Sequence, residues 1–362
     1  MTTELGRLIA HRIALTGPIS LADFMAEALG HPRLGYYRRA AAVGAAGDFT
    51  TAPEISQMFG ELIGAWLAER WLAMGSPAPV RLVELGPGRG TLMADALRAT
   101  ASVPGFHAAV DLNLVETNAA LREAQRAALA RHAPAWPPPA WHERLDKVPE
   151  GPLLLVANEF FDALPVRQFH RTEMGWRERM VGVGDDGTLR LALAPGVTPF
   201  ASLLPDAAVG AEAELCEAGR AVAAAIGLRI RAQGGWALIV DYGGANAGRA
   251  ASLQAVRGHR GTNILERPGE TDLSAHVDFA SLAAAADVAS FGPVTQGDFL
   301  RRLGILQRAE ALKRRASAEQ ARTIDAASAR LIAPDQMGTL FRVLALGDGK
   351  SSLPAGFSDT TA

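Results

Sequence analysis

Three junctions in the chain combine residue types and spacings that could do chemistry. At the first, the apolar run Arg81-Leu82-Val83-Glu84-Leu85 enters Gly86-Pro87-Gly88-Arg89-Gly90, and Leu92, Met93, Ala96 and Leu97 then follow at helical spacing. This is the strand–turn–helix opening of a nucleotide-binding α/β unit. Glycines allow a sharp turn and a close ligand approach, and the helix behind them presents free N–H groups. A dinucleotide site requires G-x-G-x-x-G, whereas Gly86, Gly88 and Gly90 recur at intervals of two, with Glu84 at the strand's exit.

At the second junction an apolar strand over 108–115 ends in Glu116. A carboxylate there can accept hydrogen bonds from both hydroxyls of a ribose, for NAD as for any other adenosine ligand. At the third, the fully apolar run Leu153–Ala157 ends in Asn158-Glu159-Phe160-Phe161-Asp162. Two carboxylates and an amide behind such a strand must be solvated in a cleft or paired. An N/D-P-P-Y/F motif, which stacks a flipped base on its aromatic ring, would put a proline after Asn158; Glu159 stands there instead, which argues against a nucleic-acid base as substrate. Carboxylates suit a cation, and a guanidinium, always protonated, binds them bidentately. Glu159 is then the residue expected to hold the acceptor and orient one nitrogen for attack, with Asn158 and Asp162 beside it. His276, among Asp272 and Asp278, is a candidate base or a structural histidine.

These junctions need a parallel sheet to align them, and ligands of open α/β sheets bind outside the strands' carboxyl ends. The pattern supplies strands near Trp141, at 153–157 and at 236–243, helices over 118–131 and 212–233, and later helices at 279–286 and 299–315 before a last strand at 339–346. Residues 166–193 read as a hairpin or meander. Residues 4–30 read as two helices, with Ser20 and Asp23 as an N-cap pair. Residues 44–53 form a small-residue loop, with Asp48, that could close over a ligand; Thr51 and Glu54 show capping-box spacing before a helix carrying Phe59, Ile63 and Trp66. The expected divisions are a helical N-terminal region and lid loop (1–79), a Rossmann-like core (80–165 and 235–348), an inserted hairpin/helix cap over the sheet's carboxyl edge (166–234) and a flexible tail (349–362).

The chain has 362 residues, 49% hydrophobic and 20% charged, as in an ordinary globular protein. A net charge of −2 offers no field for nucleic acid, and one cysteine, Cys216, excludes intramolecular disulfides and thiolate clusters. No P-loop, serine elbow or metal-ligand spacing occurs. No stretch reads as a membrane span or signal peptide, so a cytoplasmic location is expected, or the mitochondrial matrix for a member whose targeting peptide has been removed.

Together, Gly47–Ser56, Glu84–Leu92, Asn158–Pro165 and Val240-Asp241-Tyr242-Gly243, with Asp272–Phe279 and Gly338–Leu346, resemble the MidA family, whose mitochondrial members are assembly factors for respiratory complex I. The resemblance spans nearly the whole chain. It implies a class I S-adenosyl-L-methionine (SAM) methyltransferase fold and, from the mitochondrial member, symmetric dimethylation of an arginine in the 49-kDa subunit. On this chain it implies that Gly86, Gly88 and Gly90 line SAM, that Glu116 takes the ribose, that Asn158 and Glu159 face the methyl donor and that the Asp48–Glu54 loop closes the site; Glu84, Asp48 and Thr51 are expected among the cofactor-binding residues and Asp162 among the catalytic ones. The expected partners are a protein substrate and, as oligomer, a second copy. Rival readings are a different methyl acceptor, a non-catalytic assembly chaperone that keeps the pocket, and an NAD-dependent oxidoreductase.

Overall fold

The computed structural model describes residues 3–38, 50–130, 138–244, 248–349 and 352–358. They form two compact units. Asp48 and the rest of 44–49, and Trp136 and Pro137 of the proline-rich connector, lie outside the described residues.

One unit comprises residues 50–160, 222–242 and 279–362. Its centre is a seven-stranded sheet of β1 (Val80–Leu85), β2 (Val110–Val115), β3 (Ala140–His142), β4 (Leu153–Asn158), β5 (Gly235–Tyr242), β6 (Ala289–Thr295) and β7 (Phe341–Gly347), in the order 3-2-1-4-5-7-6. β1 to β5 run parallel; β7 is antiparallel to both β5 and β6. Parallel strands are covered on both faces, which is why β4 and β5 are apolar almost throughout and why Leu153–Ala157 have no exposed surface. The strand order reverses beside β1, so the carboxyl ends of β1 and β4 flank the switch point.

Three helices frame that point: α1 (Ala52–Ile55), α2 (Gln57–Ala73) and α3 (Thr91–Thr100). α2 meets α3 at Gly60 and Gly64, where a Cβ would stand 2.7 Å from Asp95 Cβ and 2.6 Å from Ala96 Cα. Only glycine permits so close an approach of two helix backbones. The buried Glu61 carboxylate accepts hydrogen bonds from Arg98 at 3.0 Å and Arg308 at 2.7 Å, binding α2 to α3 and to the helix Ile305–Lys313. Residues 352–358 are not the frayed tail expected: Phe357 is buried against Phe299, and the carbonyls of Ser352 and Ala355 accept hydrogen bonds from Arg70 and Trp66.

The other unit comprises residues 1–49, 161–221 and 243–278, so the expected 1–79 region is divided between the two. Helices Glu4–Thr16 and Leu21–Gly30 pack Leu5, Ile9, Phe24 and Met25 with Val181 and Leu273. The Ser20 hydroxyl accepts the Asp23 N–H at 3.0 Å, as expected for the N-cap. Strands Arg167–Thr172, Gly175–Val183 and Leu189–Leu193 form the expected meander, joined by Ile19–Ser20 and Glu212–Leu215 in one antiparallel sheet.

Several elements differ from the sequence expectation. Residues 212–215 are a strand paired with Arg167–His170, and the helix begins only at Glu217. Residues 106–109 form a helical turn before β2. The helix expected over 299–315 is two, Gln296–Arg302 and Ile305–Lys313, broken at Gly304 with φ +92°. The helix Ala318–Ile332, strand β6 and a small sheet of Gln254–Arg257, Arg260–Thr262 and Asp272–Ser274 were not anticipated. Thr51 precedes α1 but makes no side-chain cap, so the anticipated capping box does not form.

Candidate active site

β1 delivers Glu84 to the carboxyl edge, between Val156 of β4 and Leu114 of β2. Glu84 is 3% exposed, its Oε2 has no hydrogen-bond partner among the described residues, and burial alone pushes its pKa from 4.5 up to about 8. Beyond Leu85 the backbone enters the left-handed region at Gly86 (φ +61°), Gly88 (+53°) and Gly90 (+82°). Gly86 N–H donates to the Val115 carbonyl at 3.1 Å and Gly90 N–H to the Pro87 carbonyl at 2.8 Å. A Cβ on Gly86 would lie 2.9 Å from Phe160 Cδ2, so the loop needs glycine here for both torsion and space.

The loop is joined to the second junction by Gln125, a residue outside the three junctions. The wholly buried Gln125 amide donates to the Gly88 carbonyl at 2.8 Å and towards Glu116 Oε2 at 3.4 Å, while accepting Trp141 Nε1–H at 2.8 Å. Its signal was a lone amide on the buried face of the helix Ala119–Ala130, which it shares with Leu129. Glu116 Oε1 accepts the Asn118 N–H at 2.7 Å; burial raises the pKa of this carboxyl group and the N–H partly opposes that shift.

At the end of β4, Asn158 Nδ2 donates to Glu159 Oε1 at 3.1 Å, and Asn158 Oδ1 is buried without a hydrogen-bond partner among the described residues. Glu159 has φ +51°, a conformation that costs a non-glycine residue free energy and is held by its surroundings. Its N–H donates to the Val240 carbonyl at 2.9 Å, and Oε1 also accepts the Ala52 N–H at 2.9 Å. Phe160 N–H donates to Asp241 Oδ2 at 3.1 Å, and Asp241 Oδ1 accepts Tyr242 N–H at 2.8 Å, so a fully buried aspartate fixes the turn that presents Glu159 and the Phe160 ring.

Glu84, the three glycines, Glu116, Asn158, Glu159 and Thr51 therefore belong to one unit. Asp162 and His276 belong to the other. There, burial pushes the Asp162 carboxyl pKa up to about 6, and its carbonyl accepts Ala275 N–H at 3.0 Å. His276 N–H donates to Ser252 Oγ at 2.8 Å, the Ser252 hydroxyl donates to Glu214, and burial lowers the imidazole pKa.

A glycine loop at a topological switch, a carboxylate after the next strand and a polar turn after the fourth are the features expected of an adenosine-ligand site. The sequence profile of the family described as "Putative S-adenosyl-L-methionine-dependent methyltransferase" matches residues 62–294. The chain belongs to this methyltransferase family. It is 37% identical over 368 residues to the mouse protein arginine methyltransferase NDUFAF7, mitochondrial, covering 95% of this chain and 84% of that protein. It is 36% identical over 375 residues to the Drosophila melanogaster homolog, covering 96% and 85%. A Burkholderia thailandensis protein described as a "likely methyl transferase" and solved with S-adenosyl-homocysteine bound superposes with a TM-score of 0.84 at 28% identity, covering 97% of this chain and 93% of that one. The fold is thus the SAM methyltransferase fold, and the protein is a SAM-dependent methyltransferase. The mouse and fly relatives are mitochondrial by name, which lends the expected cytoplasmic location no support.

The residues present fit SAM. The unpartnered Glu84 oxygen is suited to the cofactor's ammonium group, and an ion pair there would offset the cost of burying that carboxylate. Glu116, part-buried and acceptor-only when ionised, suits two ribose hydroxyls. Gly86, Gly88 and Gly90 leave room for a ligand to reach the backbone.

Proposed function

We propose that this methyltransferase modifies an arginine side chain of a protein substrate, and that the 49-kDa-type subunit of respiratory complex I is the first acceptor to test. In a mitochondrial setting the compartment is the matrix. The observation that carries the reading is the Asn158–Glu159 turn: a carboxylate in a strained, over-determined backbone conformation, one strand from the glycine loop. Two relatives named as protein arginine methyltransferases, matching 95% and 96% of the chain, support the choice of acceptor.

SAM supplies an electrophilic sulfonium methyl group. The chain's own part is to hold the guanidinium through Glu159, to aim one nitrogen and to exclude water; the proton lost when that nitrogen is methylated passes to a carboxylate or to solvent. Orientation and electrostatics suffice for such a transfer.

The test is isothermal titration with SAM, with NAD as control, followed by mass spectrometry of the 49-kDa subunit homologue after incubation with enzyme and SAM. Micromolar SAM binding, no NAD heat and a methyl mass increment on one arginine are expected. A SAM-binding protein that leaves every arginine unmodified overturns the acceptor. Assembly that survives Glu159→Gln despite lost methyl transfer would favour the chaperone reading.

A further inference from the structure

α1 is only four residues long, yet it is held at both ends by groups of the site. At its start the Ala52 N–H is taken by Glu159 from the end of β4. From its third residue Glu54 sends a carboxylate across to Thr91, the first residue of α3, whose hydroxyl donates to Glu54 Oε1. Thr91 follows Gly90 directly, so this bond fixes the point where the glycine loop becomes helix. The helices behind the contact offer little give, because α2, which α1 leads into, is seated on α3 through Gly60 and Gly64. Sequence spacing would have Glu54 cap its own helix; the fold spends it on the neighbouring one instead.

We propose that Glu54 and Thr91 are a positioning pair for cofactor binding: their hydrogen bond sets the pose of the Gly86–Gly90 loop and ties it to the segment that Glu159 holds. The inference rests on SAM lying at that loop. Neither residue is assigned contact with the reacting atoms; Glu54 acts through Thr91, and Thr91 through the backbone it begins.

A double-mutant cycle on the full-length protein tests the pair, read by isothermal titration with SAM. Glu54→Ala and Thr91→Val each weaken SAM binding about tenfold, the scale of a charge-assisted hydrogen bond, and the double variant is no weaker than either single one. Glu54→Gln, whose amide oxygen still accepts the hydroxyl proton, recovers most of the affinity. Thermal melting of each variant separates a purely structural role: a lower melting temperature with unchanged SAM affinity overturns the proposal, as do additive losses in the cycle. Gly88→Val serves as the control for the loop itself. If that variant still binds SAM, the placement of the cofactor has failed, whatever the behaviour of the pair.

Discussion

Glu159 Oε1 accepts the Ala52 N–H and the Asn158 amide N–H, at 2.9 and 3.1 Å, so the carboxylate proposed to receive the acceptor also fastens α1 to the end of β4. The two roles separate by substitution. Glu159→Gln keeps an acceptor for Ala52 but loses the charge. Its melting temperature should stay near that of the parent and SAM affinity within about threefold, while methyl transfer drops about a hundredfold or more, the scale of one lost electrostatic contact in a dry site. Single-turnover transfer with radiolabelled SAM measures it; wild-type transfer by the variant would reduce Glu159 to a clamp.

The Glu84 carboxyl group gives a pH dependence. Its pKa is raised from 4.5 to about 8 by burial, so below the lower value it is protonated folded or unfolded, and its contribution to stability is fully present. That stability is lost as pH rises through about 8, where the buried group ionises. Glu84→Gln, neutral at every pH, should match the parent at pH 5 and exceed it at pH 9 by a few kcal/mol, as urea denaturation will show. The same variant tests the proposed pairing of Glu84 with the SAM ammonium group: a neutral amide cannot serve as its counterion, so SAM should bind more weakly. For the parent, SAM affinity should climb between pH 6.5 and 8.

Gly86→Ala meets two penalties. The +61° torsion costs an L-residue about 1 kcal/mol, and the new methyl group stands 2.9 Å from the Phe160 ring. SAM affinity should fall at least tenfold. Adding Phe160→Ala removes the ring carbon that the new methyl group meets, so the double variant should recover some of the affinity; no recovery in titration would assign the whole loss to the backbone.

In an exposed helix, Gly→Ala stabilises by about 1 kcal/mol. At Gly64 the sign reverses. The added Cβ would meet Ala96 Cα and the Ala96 carbonyl oxygen, both at 2.6 Å, and backbone cannot step aside as a side chain can. Overpacking costs about 1–3 kcal/mol, so Gly64→Ala should unfold at lower urea than the parent.

Whatever was local in cause could be read from the chain. The glycine loop, the apolar strands at 81–85, 153–157 and 236–242, and the Ser20 cap depend on neighbours within a few residues, and each stands where the pattern put it. What failed depended on which distant segment arrives. Glu54 had capping spacing, but Thr91 offered a better-placed hydroxyl. Glu212–Leu215 reads as helix until Arg167–His170 supplies a strand to pair with. Gln125 is one polar residue in a helix until the Gly88 carbonyl, Glu116 and Trp141 surround it. Asp162 lies three positions beyond Glu159, yet the turn between them carries the chain from one unit into the other, which no short motif announces.

The place of β7 bears on biosynthesis. This last strand, Phe341–Gly347, is not at a margin of the sheet but between β5 and β6, and pairs antiparallel with both. Until it is made, two earlier strands each keep a row of backbone donors and acceptors without a mate. A ribosome must therefore have made the chain through Gly347 before the sheet can close, and during that interval the nascent chain offers two sticky ribbons to any chaperone, or any neighbour, that reaches them first.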